Sequence, residues 1–72
     1  MRQRKKSKYV HEGRHVAEVE VFLIEDDTGW SPYISIQDAS KLDAVRDALR
    51  RGDLEAATQY GQIYELRPVA HQ

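Results

Sequence analysis

Residues 17–37 read AEVEVFLIEDDTGWSPYISIQ, and this stretch decides the fold. Its first part alternates between apolar and polar side chains and is rich in β-branched and aromatic types, which is typical of a strand with one buried face. Acidic residues and Gly29 then supply turn chemistry. A second strand, from Trp30 to Gln37, returns along the first. The stretch therefore predicts an antiparallel hairpin built around one long strand.

The hairpin register can be chosen by requiring one consistently apolar face. The register that meets this requirement pairs Glu25 with Trp30. It places Leu23 opposite Pro32, Val21 opposite Ile34, and Val19 opposite Ile36. Because Pro32 has no amide donor, we expect the second strand to lie at an edge of the sheet.

Turn and capping residues divide the rest of the chain. Glu12-Gly13 is a two-residue hairpin signal, Ser35–Asp38 has the pattern of a helix N-terminus, and Gly52 and Gly61 are typical of helix ends. The remaining predicted elements are a short strand at Tyr9–His11, a long helix between Ser35 and Gly52, a short helix capped by Asp53, and a last strand at Gln62–Arg67.

The element order β-β-β-α-α-β predicts an α+β fold. We expect a small two-layer sandwich, in which a three- to four-stranded, mainly antiparallel sheet carries one long and one short helix on one face. The last strand is expected to lie antiparallel to the long strand, on its free edge. The predicted organisation is a disordered basic tail at 1–8, one domain at 9–69, and a C-terminal tail at 70–72. The predicted core is Val19, Val21, Leu23, Ile34, Ile36, Leu42, Val45, Leu49, Leu54 and Ile63.

Length and composition exclude several classes of protein. A chain of 72 residues with 40% apolar and 32% charged side chains has the composition of one small globular domain. The absence of cysteine excludes disulfides, cysteine-bound metals and a cysteine nucleophile. No apolar run approaches the ~20 residues that span a bilayer, and no apolar segment follows the basic N-terminus. We therefore expect neither a membrane span nor a secretion signal, and a cytoplasmic location.

Charge is distributed unevenly along the chain. The first eight residues carry five cations and no acid, whereas the other 64 carry six basic and twelve acidic side chains. The cations are Arg2, Arg4, Lys5, Lys6 and Lys8. An acidic body is suited to docking against a basic partner. The basic tail is either a solubilising arm or a contact for RNA or DNA, and both interpretations stay open.

The sequence offers little for catalysis or metal binding. His11 and His15, with Glu12 or His71, are candidate ligands, but they straddle a predicted hairpin, and we interpret them as surface histidines. The acidic segment at 25–27 is explained by the turn. The glycines stand singly, so no phosphate loop is present, and no catalytic triad stands out. We predict no catalytic residues, no metal, no cofactor and no enzymatic activity.

The sheet face opposite the helices carries the candidate partner-binding residues. In the preferred register it presents Phe22, Ile24 and Tyr33, with Trp30 at the hairpin tip and Glu18 and Glu20 on the same face. An uncovered aromatic patch on so small a domain indicates association, with a protein partner, as a weak homodimer, or both.

Two resemblances follow from these residues. The segment VFLIEDDTGWSPYI at 21–34, followed by a helix rich in Ala and Leu, resembles the start of HicB-type antitoxins over about residues 19–50. That resemblance implies a protein that covers a basic ribonuclease toxin. Roughly residues 9–69 are also similar to short bacterial proteins with a Tyr-Val-His-Glu-Gly start and a Gly-Trp-Ser-Pro-Tyr core, which implies a bacterial source.

The sequence thus predicts a non-catalytic protein-interaction module, an antitoxin-like inhibitor of a basic partner. The alternative is a small RNA- or DNA-binding accessory protein that uses the basic N-terminal residues. A subunit of a larger assembly is not separated from the first prediction by the sequence.

Overall fold

The computed structural model describes residues 2–27, 29 and 31–70. Its elements are β1 (Arg2–Glu12), β2 (His15–Glu25), β3 (Tyr33–Ile34), α1 (Ile36–Arg50), α2 (Leu54–Thr58) and β4 (Gln62–Glu65). The predicted α+β class and element order are confirmed, with a four-stranded antiparallel sheet and two helices packed on it. Trp30, and with it the predicted pairing to Glu25, lies outside the described residues, as do His71 and Gln72 of the predicted C-terminal tail. Among the described helices, none combines the length and apolar character needed to cross a membrane.

Strand β2 is central to the sheet. It pairs antiparallel with β1 along its whole length, from Glu12 opposite His15 to Arg2 opposite Glu25. Its other edge is shared, because β4 pairs with the first residues of β2 and β3 pairs with Leu23 and Ile24 near its end. The last strand is antiparallel to the long strand, as predicted. It does not lie on a separate free edge, because β1 fills the whole of one edge and β4 shares the other with β3.

The first strand is much longer than predicted. Arg2–Lys8 were expected to form a disordered tail, but the structure places them in β1, opposite Val19–Glu25. The long β2 needs a hydrogen-bonding partner along this edge, and the cations of β1 are offset by acids of β2. Arg4 pairs with Glu25 at 3.1 Å and Lys5 with Glu20 at 3.6 Å.

The turn between β1 and β2 lies one residue later than predicted. Glu12 and His15 are paired, so the two loop residues are Gly13 and Arg14. Gly13 has a φ of 60°, which glycine adopts without steric cost and which a two-residue hairpin turn requires at its first position.

Strand β3 is shorter than predicted, and its register is different. The predicted strand from Trp30 to Gln37 is reduced to Tyr33–Ile34, and Ile34 lies opposite Leu23 where the sequence predicted Pro32. The reason is that α1 begins at once. The Ser35 hydroxyl accepts a hydrogen bond from the Asp38 N–H at 3.0 Å, so Ser35 caps the helix. Since the shift is two residues, Ile34 and Tyr33 keep their predicted faces.

Side chains of α1 complete the edge of β2 between β4 and β3. Within the described residues, no strand pairs with β2 on this edge from Val19 to Phe22. The Phe22 N–H donates to the Asp38 carboxylate at 2.9 Å, and the Lys41 ammonium donates to the Glu20 carbonyl at 2.6 Å. The first turns of α1 therefore take the place of a strand.

Gly61 allows β4 to approach β2 closely. A Cβ at this position would collide with the carbonyl oxygen of Glu18 and crowd the backbone of Val19. Glycine is therefore needed here for the approach to β2. It does not end the second helix as predicted, because α2 ends at Thr58 with Gln59 as its C-cap.

The core lies between the sheet and both helices. It comprises Val10, Ala17, Val19, Val21, Leu23, Val45, Ala48, Leu49 and Ala57, with Ile34, Leu42 and Ile63 partly buried against it. The predicted core residues Ile36 and Leu54 are wrong, because these side chains are 87% and 38% exposed. Each is the first residue of its helix, before the helix turns its apolar face toward the sheet.

Removal of the Asp38 carboxylate should open the edge of β2. In Asp38→Ala, we expect amide hydrogen exchange at Phe22 to accelerate by about tenfold or more, because hydrogen bonds to charged groups contribute about 1.5–3 kcal/mol. Asp38→Asn is the matched control, since its amide oxygen still accepts. Equal protection of Phe22 in all three proteins, measured by NMR, would contradict this role for Asp38.

Candidate partner-binding face

The sheet face away from the helices is here called the open face. Alternation along the strands sends every second side chain of β1 and β2 to it. Its members include Lys5 and Tyr9 of β1, Glu18, Glu20, Phe22 and Ile24 of β2, Tyr33 of β3, and Tyr64 of β4. The structure thus brings together the predicted residues Glu18, Glu20, Phe22, Ile24 and Tyr33.

One end of the open face is apolar. Phe22 is 41% exposed and Tyr33 49% exposed, and Ile24 is half-buried beside them. A depression of about 300 Å³ adjoins these side chains, lined by Gln3, Phe22, Ile24, Ser35, Gln37 and Asp38. A partner that covers the exposed ring can also fill the depression beside it. Such a contact buries more apolar surface than a contact with a ring on a flat surface.

The other end is polar and is organised around a carboxylate. Tyr9 lies directly opposite Glu18 on β1, and Tyr64 lies diagonally from it on β4. The Tyr64 hydroxyl donates to Glu18 Oε1 at 3.0 Å, and the Tyr9 hydroxyl donates to Oε2 at 3.3 Å. These three side chains form the Tyr9–Glu18–Tyr64 cluster.

The Tyr9–Glu18–Tyr64 cluster changes the ionisation of Tyr64. The hydrogen bond to Glu18 raises the pKa of Tyr64 above its ordinary value of 10.0, with smaller contributions in the same direction from desolvation and from the negative charge of Glu18. The carboxylate accepts the phenolic proton and would repel the phenolate. Tyr64 therefore keeps its proton and remains a hydrogen-bond donor.

The two glutamates of the open face differ in their partners. Glu20 is paired with Lys5 at 3.6 Å. Within residues 2–27, 29 and 31–70, the Glu18 carboxylate accepts hydrogen bonds from the neutral hydroxyls of Tyr9 and Tyr64 and forms no ion pair. The half-buried Glu18 thus leaves a negative charge on the open face that no cation of the described residues offsets.

The predicted nucleic-acid contacts are divided between the two faces of β1. Lys8 lies opposite the buried Val19, so the even-numbered cations project to the helix side of the sheet, whereas Lys5 projects to the open face. Arg2, Arg4, Lys6 and Lys8 together are here called the cation row. Alternate residues of a strand lie about 7 Å apart, so these charges are regularly spaced.

The candidate metal ligands are not brought together. The His11 ring lies 2.8 Å from the Gly13 carbonyl, and His15 is in β2 opposite Glu12 and Glu65. In the part of the chain that the structure describes, no three His, Asp or Glu side chains are placed to hold a metal ion. His71 lies outside that part.

Tyr9 and Tyr64 were not among the predicted partner-binding residues. Alternation within each strand predicts which face of the sheet each tyrosine lies on. It does not predict that both tyrosines contact Glu18, because that contact depends on how β1 and β4 pair with β2. No known protein family, curated protein or solved structure matches this chain. Its function is therefore inferred from the geometry of these surfaces.

Loss of the Glu18 charge should lower the pKa of Tyr64. In Glu18→Gln we expect the ionisation of Tyr64, followed by ultraviolet absorbance or by NMR of its ring, to move from above 10.0 toward the ordinary value. Glu20→Gln is the control, because Glu20 is paired with Lys5 and does not contact Tyr64. An unchanged Tyr64 titration in Glu18→Gln would contradict the hydrogen bond.

Proposed function

We propose that this protein is a non-catalytic cytoplasmic interaction module whose open face docks a basic protein partner. The observation that carries the proposal is the open face itself, where Phe22 and Tyr33 are exposed and Ile24 is half-buried beside a depression, while both helices pack on the other side of the sheet. The sequence also predicted that Trp30 binds the partner, but Trp30 lies outside the described residues.

The apolar end of the face supports an interface of moderate affinity. Full burial of a side chain the size of Phe22 contributes about 1.5–3 kcal/mol, and these rings are already about half covered. Association entropy opposes the gain. The apolar end alone therefore supports a weak homodimer, and a tighter complex needs polar contacts as well.

The charges of the face favour a basic partner. Glu18 and Glu20 flank the apolar end, and Lys5 is the cation paired with Glu20. In a face-to-face homodimer the glutamates of two copies would repel one another. A partner with basic groups opposite them would gain from both the apolar and the polar contacts.

An antitoxin-like inhibitor is the specific form that we propose for this module. The resemblance of residues 19–50 to HicB-type antitoxins supports it, since that family covers basic ribonuclease toxins. Residues 19–50 include Glu20, Phe22, Ile24 and Tyr33 of the open face.

A second candidate function rests on the cation row. Its four side chains project from one face of an ordered strand at regular spacing of about 7 Å, which suits the repeated phosphates of RNA or DNA. Arg4 is partly neutralised by Glu25 at 3.1 Å. We propose this as an accessory, sequence-independent contact.

Substitution of the apolar end should weaken the partner complex. A basic protein captured by the wild type from source cells, then purified and titrated by calorimetry, should bind Phe22→Ser/Tyr33→Ser with an affinity lower by about tenfold or more. Val69→Ser is the matched control, because Val69 is exposed but follows the last strand. Undiminished binding of the double variant would overturn the proposal. So would a wild type that captures no partner and sediments as a monomer at millimolar concentration.

The nucleic-acid candidate has a separate test. Fluorescence anisotropy with a single-stranded RNA oligonucleotide should show binding that weakens as salt rises, and Lys6→Gln/Lys8→Gln should reduce both the affinity and the salt dependence. Lys5→Gln, which removes one cation from the opposite face of β1, should have less effect than either substitution in the row. Absence of binding by the wild type at low salt would exclude this function.

A further inference from the structure

We propose that the Tyr9–Glu18–Tyr64 cluster is a binding site for an arginine side chain of the protein partner. The inference rests on the proposed function and deepens it, because it names the chemical group that the polar end of the open face recognises.

The first argument is the unsatisfied part of the carboxylate. An ionised carboxylate has about four lone-pair positions, two on each oxygen. In Glu18 each oxygen accepts one phenolic hydrogen bond, from Tyr64 on Oε1 and from Tyr9 on Oε2. Each oxygen therefore keeps acceptor capacity, and two adjacent acceptors match the two parallel N–H groups of a guanidinium.

The second argument is the uncompensated charge. Glu20, two residues along the same strand, has its cation in Lys5. Glu18 is half-buried and, among the described residues, has only neutral donors. A half-buried carboxylate with fixed geometry and no counter-charge attracts a cation more strongly than a freely rotating surface carboxylate, since less conformational entropy is lost on binding.

The third argument is the aromatic surface around the charge. Tyr9 is 64% exposed and Tyr64 46% exposed, so each ring offers a face to an incoming group. A planar guanidinium stacks on aromatic rings and forms a bidentate contact to a carboxylate at the same time, whereas an ammonium is a compact, strongly hydrated point charge. The combination favours arginine over lysine.

The cluster is also built to hold its shape. Tyr9, Glu18 and Tyr64 come from three neighbouring strands, β1, β2 and β4, so the backbone ladder fixes their spacing. Because the hydrogen bond to Glu18 raises the pKa of Tyr64 above 10.0, the Tyr64 hydroxyl continues to position the carboxylate at neutral pH.

A peptide titration tests the proposal on the intact protein. The probe is the capped tripeptide Gly-Arg-Gly, with Gly-citrulline-Gly as its uncharged isostere and Gly-Lys-Gly as the alternative cation. NMR should show saturable shifts of the Tyr9 and Tyr64 ring signals with the arginine peptide. We expect the affinity to be about tenfold or more lower for the citrulline peptide and for the Glu18→Gln variant, and measurably lower for the lysine peptide.

The controls separate this proposal from the wider function. Glu20→Gln should bind the arginine peptide within about twofold of the wild type, since Glu20 is not in the cluster. Phe22→Ser/Tyr33→Ser should also retain peptide binding while its affinity for the partner falls by about tenfold or more. Amide spectra and circular dichroism establish that each variant is folded.

Three results would overturn the arginine site. They are the absence of saturable shifts in the wild type, equal binding of the arginine and citrulline peptides, and undiminished binding by Glu18→Gln. Equal binding of the lysine peptide would show a general cation site and would contradict the commitment to arginine. None of these results would affect the apolar end of the open face, which the partner titration tests independently.

Discussion

The hydrogen bond from the Phe22 N–H to the Asp38 carboxylate serves a stretch of β2 that neither β3 nor β4 reaches. A hydrogen bond to a charged acceptor contributes about 1.5–3 kcal/mol, so this contact favours the start of α1 at this edge. The other end of α1 is held as well, because Arg46 and Arg50 both pair with Glu12 at 3.3 Å. Both ends of α1 are thus attached to the sheet, and the helix lies across one face of it.

The two sides of β2 therefore have different environments. Val19 and Val21 are fully buried under the helices, whereas Glu18, Glu20 and Phe22 project from the open face. The second helix also packs on the covered side, through Ala57. A chain of this length has no further helix among its described elements to cover the open face. The exposure of Phe22 thus follows from the same constraint that places α1.

Local patterns predicted the elements better than they predicted the pairing. The alternation in β2, the Ser35 and Asp53 caps and the side of β2 that each residue faces are all found in the structure. These features depend on neighbouring residues. The strand Arg2–Lys8 was missed, because a run of cations is typical of a tail unless a long partner strand carries Glu20 and Glu25 to offset it. That compensation depends on the β1–β2 register.

The same limit explains the errors in the core and in the candidate site. Ile36 was predicted to be buried because the predicted second strand of the hairpin included it. In the structure Ser35 is a helix cap and Ile36 is the exposed first residue of α1. Ala17 and Ala57 are small and were not predicted in the core, yet both are fully buried. The meeting of Tyr9 and Tyr64 at Glu18 joins three strands, so no single segment of sequence predicts it.

The net charge is only -1, but positive and negative side chains are concentrated on different faces of the sheet, which affects docking. The cation row projects to the helix side of β1, while Glu18 and Glu20 project to the open face. A basic partner is repelled by the first surface and attracted by the second, so the charges orient it before contact. A nucleic acid would be oriented the opposite way. The two proposed surfaces lie on opposite sides of one sheet.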